Sequence, residues 1–191
     1  VEEGLEQARR AAVLPLLDNL REFALVYAAG RCREGGIQFH DLLVKARDLL
    51  KYSAEARRYF QQKFSHILID EFQDTDPIQA EIAFFLAEDP REKGQVATDW
   101  LKIKPAPGKL FVVGDPKQSI YRFRRADIII TREVKRLIAG DKKDCVVPLI
   151  QNFRSQSPVI SWVNAVFSKL MTDDGMGNQA DYLPLEPFGE A

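Results

Sequence analysis

A short apolar run that ends in two carboxylates constrains the fold of this chain most. Residues 67–69 are Ile-Leu-Ile, and Asp70 and Glu71 follow them directly. Consecutive aliphatic residues without alternation are typical of a parallel strand that is buried on both faces. A second run of this kind, residues 110–113, is followed two positions later by Asp115. We therefore predict two buried parallel strands, each with an acidic residue at its carboxyl end.

Segments with a helical spacing of apolar residues separate these strands. Helices are predicted over residues 3–29, 40–51, 54–63, from Pro77 onward with Asp76 as its cap, from about 127 to 139, and from Ser157 onward. Pro15 is expected to kink or split the first helix. A third strand is predicted over about 145–150, and the polar residues 88–108 are expected to form a surface loop. This alternation indicates an α/β fold with a parallel sheet, in which ligands bind at the carboxyl ends of strands.

Composition excludes several classes of protein. The 191 residues are 46% hydrophobic and carry a net charge of -1, which suits one or two domains with a core. No apolar run approaches the ~20 residues of a membrane span, and we expect a cytoplasmic protein without a membrane partner. Cys32, Cys145, His40 and His66 have neither disulfide nor metal-ligand spacing, so we expect all four to be structural.

Asp70 and Glu71 have the chemistry of a phosphoryl-transfer site. At such a site the first carboxylate after the strand helps to hold Mg²⁺, often through water. An adjacent carboxylate can orient or deprotonate the attacking water. Both tasks need the rigid base that a buried strand supplies. The alternative is that the two residues are solvated acids at a strand end, because Asp-Glu pairs are common.

The segment after the second strand combines a neutral amide with aromatic and basic residues. Gln118 can hydrogen-bond a phosphate or a water without adding charge. Tyr121 and Phe123 alternate with Arg122 and Arg124. This pattern suits single-stranded nucleic acid, because rings stack on bases while guanidinium groups meet phosphates. The alternative is a pair of core rings beside solvated arginines.

Arg154 follows the predicted third strand. An arginine just beyond a strand end can reach into a neighbouring phosphate site, as an arginine finger does. A surface arginine paired with an acid is the alternative.

Together these segments resemble, in order and spacing, the motifs of UvrD/Rep-type superfamily 1 DNA helicases. Residues 70–74 are similar to the DExxD box, residues 114–124 to the third motif, and residues 152–155 to the NYRS-like fourth motif. Residues 40–43 resemble the DLL segment that precedes the DExx strand. The resemblance covers about residues 37–170, and the wording of the motifs looks closest to the RecB/AddA helicase–nuclease branch.

The resemblance implies a partial RecA-like P-loop NTPase fold that uses ATP and Mg²⁺. Asp70 would bind Mg²⁺, and Glu71 would activate the hydrolytic water. Gln118 would sense the γ-phosphate and couple it to DNA. Arg154 would contact the γ-phosphate from the second RecA-like domain.

The resemblance also implies DNA partners. Tyr121 and Phe123, with Arg122 and Arg124 beside them, would lie near the path of single-stranded DNA. The UvrD branch usually has tryptophan where Phe123 stands and glycine where Arg125 stands. The family moves 3′ to 5′ on single-stranded DNA and at duplex junctions, in DNA repair or recombination. Further partners would be the remaining domains of the parent helicase and a nuclease domain or partner subunit.

The phosphate-binding sequence GxxxxGK[ST] does not occur in the chain. We therefore expect a middle segment of the motor, which alone turns over negligible ATP. Residues 1–36 would be the tail of an inserted helical subdomain 1B. Residues 37–143 would be the remainder of the RecA-like domain 1A, and residues 144–191 the start of domain 2A.

Two other hypotheses stay open at this point. The chain could be a non-catalytic nucleic-acid-binding module derived from this fold, which the basic and aromatic residues 117–136 favour. A pure binding module, however, has no need for the four residues assigned to the nucleotide. Another P-loop ATPase would explain the Asp-Glu strand but not the segments that follow it.

Overall fold

The computed structural model describes residues 2–91, 97–121, 123, 128–140, 145–172, 180 and 182–188. The chain divides into two compact units, Val1–Lys45 and Ala46–Ala191. Each unit is described by itself below. None of the helices in the described ranges is both long and apolar enough to span a membrane.

The first unit consists of helix α1 (Glu2–Arg33) and the beginning of helix α2 (Phe39–Tyr52). The predicted split at Pro15 is wrong, because α1 continues through this residue as one helix. A proline removes one helical hydrogen bond, and the alanine, leucine and glutamate residues around it have high helix propensity. Asp41 closes the turn between the helices, since its carboxylate accepts the Gln38 N–H at 2.9 Å and pairs with Arg31 at 3.1 Å.

The second unit contains the remaining elements. After the end of α2 they are, in chain order, α3 (Ala54–Lys63), β1 (Ile67–Ile69), α4 (Pro77–Ala87), β2 (Leu110–Val112), α5 (Ile128–Ala139), β3 (Gln151–Asn152), α6 (Ser157–Leu170) and β4 (Glu186–Pro187). Three short 3-10 turns cover Phe72–Asp74, Trp100–Lys102 and Pro116–Gln118. The helices predicted from sequence in this unit are thus confirmed within one or two residues.

Strands β1 and β2 pair in parallel, with Leu68 opposite Phe111 and Ile69 opposite Val112. The parallel pairing predicted from the two apolar runs is confirmed. The predicted burial of both faces is wrong for the described residues, because Leu68 and Phe111 are 75% and 61% exposed. Ile69 and Val112 point to the other face and pack against the core.

The predicted third strand at residues 145–150 is wrong. Strand β3 covers Gln151–Asn152 instead and pairs in parallel with β4. A run of β-branched residues becomes a strand only where a neighbour accepts its backbone hydrogen bonds. In the part of the chain that the structure describes, no strand ladder forms along residues 145–150, and Val147 and Leu149 stay exposed.

The core of the second unit forms around α4. Phe84 and Phe85 are fully buried and pack with residues of α2 and α5. Asp76 begins α4 as predicted, because its carboxylate accepts the Ile78 N–H at 2.6 Å, and Gln79 completes a capping box. Helix α4 therefore starts at a fixed point shortly after the acidic end of β1.

The prediction of a surface loop over residues 88–108 is wrong for its second half. Ile103 is buried in the core, and the ring of Trp100 packs edge-on against Phe84 with centroids 5.1 Å apart. Two apolar side chains within a polar segment gave too little periodicity to predict this packing.

Candidate functional site

The parallel pairing brings the acidic ends of β1 and β2 to the same edge of the sheet. The ladder continues past both strands, since the Val113 N–H donates to the Ile69 carbonyl at 2.8 Å and the Phe72 N–H to the Val113 carbonyl at 3.0 Å. The backbone between Ile69 and Phe72 contains Asp70 and Glu71. The candidate site therefore lies where the sequence predicted it, at the carboxyl ends of parallel strands.

Glu71 has an unusual backbone conformation. Its φ of 52° and ψ of 41° lie in the left-handed region, and no other non-glycine residue in the described ranges has a positive φ. This conformation costs about 1–2 kcal/mol for a residue with a Cβ atom. The Glu71 N–H is held by Asp70, whose Oδ1 accepts it at 2.9 Å. Such strain persists where the surrounding structure fixes it, and it is frequent at functional sites.

A buried glutamine joins the two acidic segments. Gln73 is only 2% exposed, and its Nε2 donates to the Glu71 carboxylate at 2.7 Å. Its Oε1 accepts the Asp115 N–H at 2.9 Å. Gly114 lies directly against this amide, and a Cβ atom added there would be 2.9 Å from the Gln73 Oε1. Only glycine therefore leaves room for the Gln73 side chain at this position.

Asp115 organises the turn that carries Gln118. The Asp115 carboxylate accepts the Lys117 N–H and the Gln118 Nε2–H, both at 3.1 Å, and pairs with the Lys117 Nζ at 3.3 Å. Ser119 closes the turn by donating its hydroxyl to the Gln73 carbonyl at 3.1 Å. Through these contacts the structure brings Asp70, Glu71 and Gln118 into one connected set of loops.

Only part of the predicted DNA-binding segment is described. The rings of Tyr121 and Phe123 contact each other, with centroids 5.7 Å apart and a tilt of 50°. Phe123 is 77% exposed, which excludes the alternative that it is a core residue of the described chain. Arg122 and Arg124 lie outside the described residues.

Arg154 follows β3 in a turn made by Asn152. The Asn152 side chain accepts the Arg154 N–H at 2.9 Å and the Ser155 N–H at 2.8 Å. Arg154 is exposed, and its neighbour Phe153 packs on Phe188 with centroids 4.6 Å apart. In the described ranges no hydrogen bond or ion pair joins Arg154 to the other predicted site residues. The structure therefore presents this guanidinium to solvent without bringing it to the acidic edge.

The acidic edge has ligands that suit Mg²⁺. Both Asp70 and Glu71 are exposed and offer hard carboxylate oxygens. Among the described residues there is no group of three or more histidine, cysteine or acidic side chains that could hold a metal alone. Mg²⁺ does not need such a group, because it binds through one or two carboxylates, several waters and the phosphates of the substrate. The two carboxylates thus fit the metal that the resemblance implies.

Comparison with known proteins agrees with this arrangement of strands and motifs. Residues 4–139 match the family of the UvrD/REP helicase N-terminal domain, so the chain belongs to this family of helicase domains. Family membership implies a P-loop NTPase fold, and the helix-rich structure with short parallel strands is consistent with it.

The similar curated proteins bear the name of one subunit type of the ATP-dependent helicase/nucleases. The chain is 33% identical over 169 residues to such a protein from Streptococcus pyogenes serotype M5 (strain Manfredo). It is 32% identical to the protein of the same name from Streptococcus equi subsp. zooepidemicus (strain MGCS10565). Each match covers 86% of this chain and 12% of the relative. The predicted resemblance to the RecB/AddA branch is confirmed, and the chain spans about 12% of the length of these relatives.

The sequence did not reveal the role of Gln73. This residue lies inside the DExxD-like segment, but its partner Asp115 is 42 positions further along the chain. A buried amide needs hydrogen-bond partners, so a polar residue between the apolar Phe72 and the next helix was the available signal. The capping role of Asp115 could have been predicted, because aspartate before proline often begins a turn.

Proposed function

We propose that this chain is part of the ATP-driven motor of a DNA helicase and carries the Mg²⁺ and γ-phosphate end of its nucleotide site. One observation supports this proposal most strongly. The two loops that resemble the DExxD box and the third motif meet at one sheet edge, where Gln73 bonds to both Glu71 and Asp115. Two solvated acids at a strand end have no need for this buried connection.

Each site residue has a task that its surroundings support. Asp70 holds Mg²⁺, which neutralises charge on the phosphates when it is bound. Glu71 orients the attacking water and takes up its proton, with its carboxylate kept in place by Gln73. Gln118 uses one Nε2 hydrogen to bond Asp115, so its second hydrogen can be donated to a γ-phosphate oxygen.

Arg154 completes the proposed nucleotide site from another domain. We assign residues 1–36 to the tail of subdomain 1B, residues 37–143 to domain 1A and residues 144–191 to the start of domain 2A. Asn152 holds the backbone of Arg154, and the exposed guanidinium can contact a phosphate when the two motor domains approach.

The relatives' name suggests the setting in which the motor works. Because these proteins are called helicase/nuclease subunits, we propose that the full-length protein also has a nuclease domain or works with a nuclease partner. DNA repair or recombination is the matching cellular role.

Strand separation tests the proposed function directly. The full-length protein is expected to unwind a duplex with a 3′ single-stranded tail when ATP and Mg²⁺ are present, and to leave a duplex with a 5′ tail intact. The readout is release of a fluorescent strand, with a non-hydrolysable ATP analogue as the control. Unwinding of the 5′-tailed duplex alone contradicts the proposed direction, and failure with both substrates contradicts the helicase proposal.

Phe123→Ala in the full-length protein should weaken binding of single-stranded DNA by about 1–3 kcal/mol, the range for one lost base stack. Phe123 is the exposed member of the ring pair, so its removal takes away stacking surface without opening the core. Fluorescence anisotropy with an oligothymidine measures the affinity. Tyr59→Ala is a matched control, because Tyr59 is an exposed ring on α3. Equal affinities for the Phe123 variant and the unchanged protein contradict the stacking role.

A further inference from the structure

The side chain of Gln73 bonds to both acidic loops, and its two bonds have opposite polarity. The Nε2 group donates to the Glu71 carboxylate, and the Oε1 atom accepts from the Asp115 backbone N–H. A carboxylate can only accept and a backbone N–H can only donate. The partners therefore fix the orientation of the amide, and a reversed amide would break both bonds.

The surroundings leave this amide little freedom. Gln73 is almost fully buried, and Gly114 approaches it so closely that a Cβ atom there would clash with its Oε1 and with the Phe72 backbone. The Ser119 hydroxyl binds the Gln73 carbonyl. A shift of the loop from Gly114 to Ser119 must therefore move the Gln73 amide, and with it the Glu71 carboxylate.

We infer that Gln73 is a positioning residue for the hydrolysis proposed above, which links the loop that carries Gln118 to the carboxylate that activates the water. This inference rests on the proposed function. The Glu71 backbone is in a left-handed conformation, so its side chain needs a fixed partner to hold one direction. Gln73 supplies that partner and makes the direction depend on the position of the Gly114–Ser119 loop.

The test is steady-state ATP hydrolysis by the full-length protein, with and without single-stranded DNA. Gln73→Met removes both bonds at similar length, whereas Gln73→Glu keeps an acceptor for the Asp115 N–H and loses the donor to Glu71. Both variants should lower kcat by about 10- to 100-fold, the cost of a catalytic group displaced by about 1 Å, while the KM for ATP changes little. An unchanged kcat in both folded variants overturns the inference.

A second buried glutamine separates positioning from packing. Gln61 is also buried and donates its Nε2–H to the Phe85 carbonyl at 2.8 Å, away from the acidic edge. Gln61→Met should lower the melting temperature as Gln73→Met does, but it should leave kcat unchanged. Equal losses of kcat in both variants show that Gln73 acts only through stability, which overturns the inference.

A double-mutant cycle distinguishes this inference from the proposed function. Glu71→Ala should abolish most turnover, and adding Gln73→Met should then slow the reaction no further, because the residue acts through Glu71. Multiplied losses in the double variant contradict the inference alone. Normal turnover of Glu71→Ala contradicts the proposed function itself.

Discussion

Glu71→Gln is expected to lower the ATP turnover number of the full-length protein by about 10²–10⁴-fold, the range for loss of a general base. The substituted amide has the same shape as the carboxylate, and it keeps an oxygen that can accept the Gln73 Nε2–H. Only the ability to take up a proton from water is removed. Phosphate release at saturating ATP and Mg²⁺ measures the turnover number.

ATP binding provides the matching control for this prediction. Because Glu71 acts on the water, the affinity for a fluorescent ATP analogue should stay close to that of the unchanged protein. Glu55→Gln removes another exposed carboxylate, in the first turn of α3, and should leave turnover unaltered. Turnover of the Glu71 variant within a factor of about ten of normal is too high for a lost general base and contradicts this role.

Arg57→Met is expected to destabilise the chain by about 3 kcal/mol, the lower end of the range for breaking a buried ion pair. Arg57 is 1% exposed, and its guanidinium donates to the Leu50 carbonyl, the Glu88 carboxylate and the Ala97 carbonyl at 2.7–2.8 Å. It also lies 4.3 Å from the centre of the Phe85 ring. The substitution leaves three acceptors without their donor.

The lower end of the range applies because the Glu88 side chain is partly exposed and can regain water. Urea unfolding followed by circular dichroism gives the free energy of unfolding. Arg58→Met is the matched control, since Arg58 is the next residue of α3 and is exposed. A loss no larger than that of the Arg58 variant contradicts the structural importance of the buried guanidinium.

The features that the sequence predicted correctly depend on short-range signals. Asp76 and Pro77 mark the start of α4 through rules that involve only neighbouring residues. The apolar run at residues 67–69 predicts a strand, and the pairing with β2 follows from the parallel α/β pattern. Because both strands end in acid, the position of the candidate site could also be predicted.

The features that it missed depend on contacts between distant segments. Residues 145–150 have the composition of a strand, but a strand also needs a partner, which composition does not specify. Arginine is almost never fully buried unless it is paired, so nothing local marked Arg57 as a core residue. The bond from Gln73 to Asp115 likewise appears only when β1 and β2 lie side by side.

Metal-directed cleavage tests the central proposal most directly. Fe²⁺ replaces Mg²⁺ in the full-length protein, because both accept oxygen ligands, and peroxide with ascorbate then generates radicals that cut the backbone beside the bound ion. With ATP present, the proposal predicts cuts at Asp70–Glu71 and in the Gly114–Gln118 loop, and Asp70→Ala should remove them. Cuts at other positions, or the same cuts without ATP and in the Asp70 variant, would contradict a nucleotide–metal site at the carboxyl ends of β1 and β2.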